Sequence, residues 1–192
     1  MTLWLARHAQ PLVAAGVCYG ALDVAADGPA TQAAAHKLAT VVPAGISVNS
    51  SPLQRCEQLA QALCALRPDL TFIFDPRLRE MDFGDWEGQR WDAIGQSALE
   101  AWTTDFARHR PGGGESVEMF MPRVAAAWDA VGTQPMLWIT HAGVARACSL
   151  LAAGIRDIQQ ADQWPHAAPG YGEWVIYARE VPAQTPPGRP GC

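Results

Sequence analysis

The chain has 192 residues, 49% of them hydrophobic, and a formal net charge of −5 at pH 7. This length and apolar content suffice for one well-buried core, so we expect a single domain. The acidic balance argues against nucleic acid and anionic membranes as partners, because both bind broad basic faces. It is compatible with a small phosphorylated metabolite, which needs only a local cluster of positive groups.

Targeting and cysteine signals are weak in this sequence. No apolar run approaches the roughly 20 residues of a membrane-spanning helix, and the N-terminus lacks the basic start and long apolar stretch of a signal peptide. We therefore expect a cytoplasmic protein. The 5 cysteines are scattered, without CxxC spacing or a histidine at zinc-finger distance. The sequence thus predicts reduced cysteines and no structural zinc site.

The first predicted element is a strand over the apolar residues 3–5, which leads into Arg7 and His8 and ends before Pro11. A contiguous apolar run is typical of a strand that is buried on both faces of a parallel sheet. Pro11 cannot donate a hydrogen bond to a neighbouring strand, so the strand should be over by then. Arg7 and His8 are therefore expected just past its carboxyl end, where open α/β sheets bind their ligands.

The following segment predicts a helix and then a short strand. Asp27 and Pro29 are typical of a helix start, and we expect this helix over residues 30–42, with Val41 on its inner face. The second strand is predicted over residues 46–50.

A second helix should follow this strand directly. Ser51 and Pro52 are a favourable N-cap and first-turn pair for a helix that reaches Leu66. Arg55 then lies in the first helical turn. Helix N-termini carry free N–H groups and partial positive charge, so an arginine there adds to an anion-binding site.

A carboxylate-rich loop over residues 78–88 follows a third predicted strand over residues 71–74. Its acidic residues are interleaved with aromatic residues and glycines, a mixture that is unusual for a merely solvated acidic loop. Residues 91–109 are predicted to form a helix. Its inward residues should be Ile94, Leu99, Trp102 and Phe106. Three tryptophans are predicted to pack in the core or in a lid, with contact to a substrate ring as the alternative: Trp86, Trp91 and Trp102.

The second half of the chain repeats the pattern of the first strand, because the apolar residues 136–139 are followed by Thr140 and His141. Two buried strands that each deliver a histidine at the carboxyl end are hard to explain by packing alone. Before this strand, Ser116 is the predicted N-cap of a helix that Pro122 should either kink or enter in its first turns.

The remaining segments complete an alternating order of strands and helices. A helix is predicted over residues 144–154, an irregular segment over residues 156–172 and a last strand over residues 173–178. This order predicts an α/β fold, a three-layer α/β/α sandwich with a mostly parallel sheet. We expect one domain over residues 1–181 and a Pro/Gly-rich C-terminal tail over residues 182–192.

Four side chains should meet at one edge of this sheet: Arg7, His8, Arg55 and His141. Two guanidiniums and two imidazoles make a poor metal site, because arginine repels cations and no carboxylate has the spacing of a ligand. They suit a tetrahedral dianion instead. Arginine binds phosphate with two parallel hydrogen bonds, and an imidazole can attack phosphorus and carry the phosphoryl group covalently.

The leaving oxygen in such a reaction needs a proton, which a nearby carboxylic acid can supply. Glu80 is the candidate, with Asp82 and Asp85 as alternatives. A carboxyl group beside Phe83 and Trp86, close to the negative charge of a phosphate, would tend to stay protonated long enough to donate.

Four segments carry a family resemblance: residues 5–9 (LARHA), 51–56 (SPLQRC), 78–88 (LREMDFGDWEG) and 140–144 (THAGV). In this order they resemble the four signature segments of the histidine phosphatase superfamily, which has the phosphoglycerate mutase-like fold. Within the superfamily, the chain looks most similar to the α-ribazole phosphatases of cobalamin biosynthesis.

The resemblance implies a role for each of the five candidate residues. It implies that His8 is the phosphorylated nucleophile and that Arg7, Arg55 and His141 bind the phosphate. Glu80 would be the proton donor. The resemblance also implies that neither a metal nor an organic cofactor is required.

Two positions depart from the family pattern: Ala9 replaces the usual glycine, and Ala14 stands where the family often has asparagine. A methyl group at residue 9 could crowd the phosphate or be accommodated by an ordinary backbone angle. Three functions therefore stay open. They are a phosphatase for a small phosphomonoester, with α-ribazole 5′-phosphate as a candidate substrate, a phosphoglycerate mutase-type enzyme and a non-catalytic phosphate-binding protein. The short chain favours hydrolysis, because mutases tend to have extra segments that exclude water.

Overall fold

The computed structural model describes residues 2–178, which form one five-stranded sheet with helices on both faces. The strands are β1 (Thr2–Arg7), β2 (Ser47–Ser50), β3 (Phe72–Phe74), β4 (Met136–Thr140) and β5 (Trp174–Ala178). They lie in the order β3-β2-β4-β1-β5. The first four strands are parallel to their neighbours, and only β5 runs antiparallel, at the edge beside β1. The predicted mostly parallel sheet is confirmed.

The α-helices are α1 (Gly28–Val41), α2 (Gln54–Leu66), α3 (Gln96–Thr104), α4 (Val117–Asp129) and α5 (Ala142–Ala152). One buried cluster joins α1 and α2 to one face of the sheet, and a second joins α4 and α5 to the other face. In β1, the fully buried Leu3 and Leu5 face α4 and α5, whereas Ala6 faces α1 and α2. Burial on both faces explains the contiguous apolar run and confirms the three-layer α/β/α architecture.

The start of α1 agrees with the prediction, but its inner face differs. Asp27 is the N-cap, and its Oδ1 accepts a hydrogen bond from Ala30 N at 2.8 Å. Val41, predicted to face inward, is 41% exposed. The buried side of the helix runs through Leu38 to Val42, four residues later, so the helical period turns Val41 towards solvent.

The predicted N-cap of α2 is wrong. The helix begins at Gln54, and its N-cap Leu53 makes no side-chain cap. Ser51 lies further upstream, where its Oγ accepts from Leu53 N at 3.3 Å. The free N–H of Gln54 is satisfied from elsewhere, by Asp23 Oδ1 at 2.7 Å. Arg55 still lies in the first turn, as predicted.

The long helix predicted over residues 91–109 is also wrong. Only α3 is α-helical there, and none of its residues is buried. Residues 89–91 instead pair their backbone with residues 16–18, through Cys18 N to Gln89 O at 2.7 Å and Trp91 N to Gly16 O at 2.8 Å. The next residues form a turn, in which Ala93 N and Ile94 N donate to Arg90 O at 2.9 and 3.3 Å, so the helix starts only after Gly95.

The remaining elements lie close to their predicted positions. Ser116 caps α4 through a bond from Met119 N at 3.3 Å, and Pro122 lies inside that helix. Helix α5 begins two residues earlier than predicted, directly after His141. Within residues 2–178 no helix combines the length and the apolar character that crossing a bilayer requires.

The described part of the chain contains four cysteines, all unpaired. Cys18, Cys56 and Cys148 are buried, and Cys64 is half-buried. Cys192 and the predicted tail over residues 182–192 lie outside the described residues, so the assignment of a single domain and a separate tail stays a prediction.

Candidate active site

The central strands of the sheet bring the candidate residues together. Arg7 at the end of β1 is opposite Thr140 at the end of β4, and His8 N donates to Thr140 O at 3.1 Å. His8 and His141 therefore leave neighbouring strands at the same carboxyl edge. Ser51 follows β2, the other neighbour of β4, at that edge. This topology explains why two motifs more than 130 residues apart form one site.

A cavity of about 300 Å³ opens at this edge, and four of the five predicted residues line it: Arg7, His8, Arg55 and Glu80. The fifth, His141, is fully buried and packs against His8, with 5.1 Å between the ring centroids. Asp82 and Asp85, the alternatives to Glu80, are exposed and do not line this cavity.

His8 is held in one tautomer. Its Nδ1 lies 2.7 Å from the carbonyl oxygen of Ala9. A carbonyl can only accept, so Nδ1 carries the proton and Nε2 keeps its lone pair. Burial, and then the positive charges of Arg55 and Arg7, lower the pKa of His8 to about 3. The imidazole is therefore neutral over the whole physiological range.

His141 is oriented by Ser51. The Oγ of Ser51 lies 2.8 Å from His141 Nε2 and also accepts from Leu53 N. The Sγ of Cys56 lies on the same ring, 3.5 Å from Nε2 and 3.9 Å from Nδ1. Burial, followed by the charge of Arg55, lowers the pKa of His141 well below its usual value. Both histidines are thus neutral at pH 7.

Arg55 is fully buried, and its guanidinium is held by backbone oxygens. Nη1 donates to Leu22 O at 2.8 Å and Nη2 donates to Gly20 O at 2.6 Å, while Nε is buried without a partner. Within residues 2–178 no carboxylate lies within 4.0 Å of this guanidinium in an ion pair. A buried charge without a counter-ion is costly, so it favours an anionic ligand.

Arg7 is held by one backbone oxygen and by an aromatic ring. Its Nη1 donates to Pro169 O at 3.0 Å, and its guanidinium lies 3.9 Å from the ring centroid of Tyr171. The hydroxyl groups of Tyr171 and Tyr19 are 2.6 Å apart. Together the two tyrosines fix the position of Arg7 by stacking and by a hydrogen bond that spans two loops.

Glu80 is anchored at the N-terminus of α5. Its Oε2 accepts from Gly143 N at 2.9 Å and its Oε1 accepts from Met81 N at 3.1 Å. A Cβ atom at residue 143 would overlap Oε1, so a larger residue there would displace the carboxyl group. The glycine that follows the second histidine motif therefore makes room for the carboxyl group.

Glu87 joins the acidic loop to the loop that holds Arg55. Its carboxylate accepts from the backbone N–H groups of Gly20, Ala21, Leu22 and Phe83, at 2.7 to 3.1 Å. Sequence reasoning did not identify this role. The only signal was its place in an acidic loop with aromatic neighbours, which does not indicate which carboxylate turns inward.

The two departures from the family pattern leave the backbone unstrained. Ala9 is buried against the α1 and α2 side of the sheet. Within residues 2–178, positive φ angles occur only at glycines, so the methyl group of Ala9 fits an ordinary backbone conformation. Ala14 is exposed and does not line the cavity.

Sequence reasoning missed the tyrosines and gave contact between a tryptophan and a substrate ring only as an alternative. Tyr19 lines the cavity, whereas Tyr171 contacts His8 with 5.7 Å between ring centroids. Trp91 and Trp102, predicted to pack in the core or in a lid, line the cavity, and Trp86 is buried behind them. Across the described residues, no group of three or more His, Cys, Asp or Glu side chains is arranged to hold a metal ion.

The sequence model of the histidine phosphatase superfamily (branch 1) matches residues 3–178. The chain belongs to this superfamily. It is 33% identical over 171 residues to glucosyl-3-phosphoglycerate phosphatase of Mycolicibacterium vanbaalenii, covering 81% of this chain and 72% of the relative. It is 29% identical over 177 residues to adenosylcobalamin/α-ribazole phosphatase of Salmonella typhimurium, covering 85% and 84%.

Solved structures agree with this assignment. A candidate α-ribazole-5′-P phosphatase from Escherichia coli superposes with a TM-score of 0.77 at 25% identity, covering 92% of this chain and 89% of the other. The phosphoglycerate mutase-like fold is therefore confirmed. Family membership and relatives named as phosphatases identify the chain as an enzyme of the phosphatase type.

Proposed function

We propose that this histidine phosphatase hydrolyses a small phosphomonoester through a phosphohistidine at His8, without a metal or organic cofactor. One observation carries the proposal. A neutral histidine with a free Nε2 lies at the base of a cavity beside two guanidiniums that have no carboxylate partner within residues 2–178. A nucleophile in this setting suits a substrate that is itself negatively charged.

In the first step, Nε2 of His8 attacks phosphorus and the bond from phosphorus to the ester oxygen breaks. Arg7 and Arg55 bind the phosphoryl oxygens, and His141, which packs against His8, completes the phosphate pocket. Glu80, protonated at that stage, gives its proton to the departing oxygen, so the product leaves as an alcohol. His8 then carries the phosphoryl group on Nε2.

In the second step, water attacks the phosphohistidine. The carboxylate of Glu80 takes a proton from this water as the bond from oxygen to phosphorus forms. The bond from phosphorus to Nε2 breaks, which releases inorganic phosphate and restores the neutral His8. Glu80 ends the cycle protonated, ready for the next substrate. The hydrogen bond from Nδ1 to Ala9 O holds the ring in one orientation through both steps.

The first substrate to test is α-ribazole 5′-phosphate. The similarity to the Salmonella typhimurium and Escherichia coli phosphatases supports this choice. The similarity to glucosyl-3-phosphoglycerate phosphatase makes a phosphorylated sugar acid the natural comparison.

The test is phosphate release in the presence of EDTA from α-ribazole 5′-phosphate, 3-phosphoglycerate and p-nitrophenyl phosphate. We expect turnover without added metal. The variant His8→Ala should fall to background while keeping its thermal unfolding transition, and His36→Ala, a change at an exposed histidine of α1, should retain full activity.

Three outcomes would overturn the proposal. An active His8→Ala enzyme would exclude His8 as the nucleophile. Isomerisation of phosphoglycerate without phosphate release would indicate a mutase. Tight binding of inorganic phosphate without turnover of any ester would indicate a non-catalytic phosphate-binding protein.

A further inference from the structure

The cavity is much larger than the space around His8, and its outer part is aromatic. Five rings from separate segments line it and form what we term the aromatic wall: Phe83, Trp91, Trp102, Phe106 and Trp164. Two further apolar side chains, Val17 and Val117, line the same space. Ligand cavities of about 300 Å³ and more take whole small molecules, so there is room for an ester group beyond the phosphate.

The aromatic wall is preformed by contacts among its own rings. Trp91 and Trp102 are nearly parallel, at 11° with centroids 6.3 Å apart, and Trp102 is within 25° of Phe106 at 5.6 Å. Phe83 meets both tryptophans edge-on, at 5.6 and 5.9 Å. Rings that brace each other lose little freedom when a ligand binds, and they present flat faces and edges that suit another ring.

The cavity also contains a third guanidinium, that of Arg146. This residue lies on α5 three residues after Gly143, and residues at this spacing share one helix face. The backbone N–H of Gly143 donates to the carboxyl group of Glu80. In the proposed function this carboxyl group protonates the departing ester oxygen. Arg146 is therefore placed along the path of the leaving group.

Arg146 has spare hydrogen-bonding capacity. Its Nη2 donates to His166 O at 3.3 Å, a long bond, and its Nε is buried without a partner. Within residues 2–178 it has no carboxylate within 4.0 Å and no hydrogen bond from Nη1. A half-buried donor in an apolar cavity gains most from an acceptor that a ligand supplies.

We infer that the outer cavity is a leaving-group subsite for a planar aromatic or heteroaromatic ring, packed on the aromatic wall, with an acceptor atom on the ring edge that receives a hydrogen bond from Arg146. This inference rests on the proposed function for the position of the phosphate, at His8. It names the substrate class: phosphate esters with an aromatic ring close to the ester oxygen.

Non-hydrolysable phosphonates test this subsite by binding alone. We would measure dissociation constants by calorimetry for benzylphosphonate, cyclohexylmethylphosphonate and the 3- and 4-pyridylmethylphosphonates. The first two differ only in aromaticity, and the pyridyl compounds add one acceptor atom to the ring. Benzylphosphonate should bind about five-fold tighter than its saturated partner, from stacking. The better pyridyl isomer should bind about five-fold tighter again, from a hydrogen bond.

Paired variants assign these preferences to residues. Trp102→Leu should abolish the preference for benzyl over cyclohexylmethyl, and Trp102→Phe should keep it. The indole Nε1 of Trp102 has no hydrogen-bond partner, so the phenylalanine variant sacrifices none. Arg146→Met should abolish the preference for pyridyl over benzyl. Arg156→Met, at an arginine that pairs with Asp129 and does not line the cavity, should leave both preferences unchanged.

The outcomes separate this inference from the proposed function. Equal affinity for benzyl and cyclohexylmethylphosphonate, or a pyridyl preference that survives Arg146→Met, would overturn the subsite. A preference for the aromatic compounds that follows the variants as expected would support it, even if no phosphate ester were hydrolysed. If the subsite is supported but no phosphate ester is hydrolysed, the proposed function is wrong and the subsite stands.

Discussion

At the scale of single residues, the site depends on which nitrogen of each histidine carries its proton. The carbonyl of Ala9 fixes the protonated nitrogen of His8, and the hydroxyl of Ser51 holds the ring of His141 at Nε2. The two rings are buried, with 5.1 Å between their centroids. A change in the orientation of His141 would therefore also disturb the nucleophile His8.

Removing the Ser51 hydroxyl tests this coupling. Ser51→Ala removes the shorter contact of His141 Nε2 and leaves only the 3.5 Å contact with Cys56 Sγ, so the ring is held less firmly and kcat should fall about ten-fold or more. The control is Ser50→Ala, because Ser50 is equally buried but donates to Ser51 O and not to a histidine. Steady-state kinetics would contradict this reasoning if both variants lost the same activity.

The second residue-scale prediction concerns the space for Glu80. In Gly143→Ala the new methyl group would displace the carboxyl group, so we expect a loss of kcat that approaches that of Glu80→Gln. General acids contribute about 10² to 10⁴-fold, and the loss should be larger for alkyl phosphates than for p-nitrophenyl phosphate, whose leaving group needs little protonation.

Gly132→Ala is the matched control, because a Cβ at residue 132 meets nothing within 4 Å. Gly143 lies inside α5, where alanine favours the helix over glycine. A Gly143→Ala enzyme with full activity on alkyl phosphates would show that Glu80 does not act as the acid.

At the scale of elements, residues 20–22 form the support of Arg55. The carboxylate of Glu87 accepts hydrogen bonds from three N–H groups of this loop and from one of the acidic loop. Glu87→Ala leaves these donors without their acceptor, at a cost of about 1–3 kcal/mol of unfolding free energy. It should also raise the dissociation constant of inorganic phosphate, since the loop carbonyls that hold Arg55 would move.

Urea unfolding and phosphate titration measure these two effects together. The control Glu118→Ala, at an exposed residue of α4, should alter neither the free energy of unfolding nor the dissociation constant of phosphate by much. Unchanged phosphate affinity in Glu87→Ala would mean that Arg55 holds its position without the loop.

The elements that the sequence predicted well are those with strong local signals. The strands that lead into His8 and His141 contain contiguous apolar runs, and Asp27 and Ser116 are N-caps that the structure confirms. The failures came from tertiary contacts. The predicted helix opens at Trp91, but Trp91 N donates to Gly16 O, a long-range contact that no local rule reveals.

The same distinction between local signals and long-range contacts applies to the active site. Strand order brings Arg7, His8 and His141 to one edge, so their placement could be predicted from parallel pairing alone. Tyr171 and the aromatic wall could not be predicted in this way. They lie on α3 and on loops whose paths depend on long-range hydrogen bonds, such as Gly172 N to Arg7 O at 3.2 Å.

At the scale of the whole molecule, the two neutral histidines make stability depend on pH. In the unfolded chain they bind protons below a pKa of about 6.5. In the folded chain His8 binds its proton only near pH 3, and the pKa of His141 is likewise lowered. Between about pH 3 and pH 6.5 the unfolded chain therefore binds more protons than the folded chain. The free energy of unfolding has its full value above pH 6.5 and falls as the pH drops through this range.

Each histidine should contribute a slope of about 1.4 kcal/mol per pH unit in the lower part of this window. Urea unfolding between pH 4 and pH 7 should show the slope reduced in His8→Gln and reduced further when His141→Gln is added. His36→Gln, at an exposed position, should show the same slope as the wild-type protein. The same slope in all variants would contradict burial of neutral imidazoles.

The central claim is that phosphate passes through a covalent bond to His8, and trapping that bond tests it most directly. The wild-type enzyme would be mixed with a phosphomonoester that it turns over, quenched in alkali within milliseconds and digested for mass spectrometry. We predict one phosphoryl group on the peptide that contains His8, lost on acid treatment, absent in His8→Ala and present in His36→Ala. A phosphoryl group on any other residue, or rapid turnover with none on His8, would contradict the account.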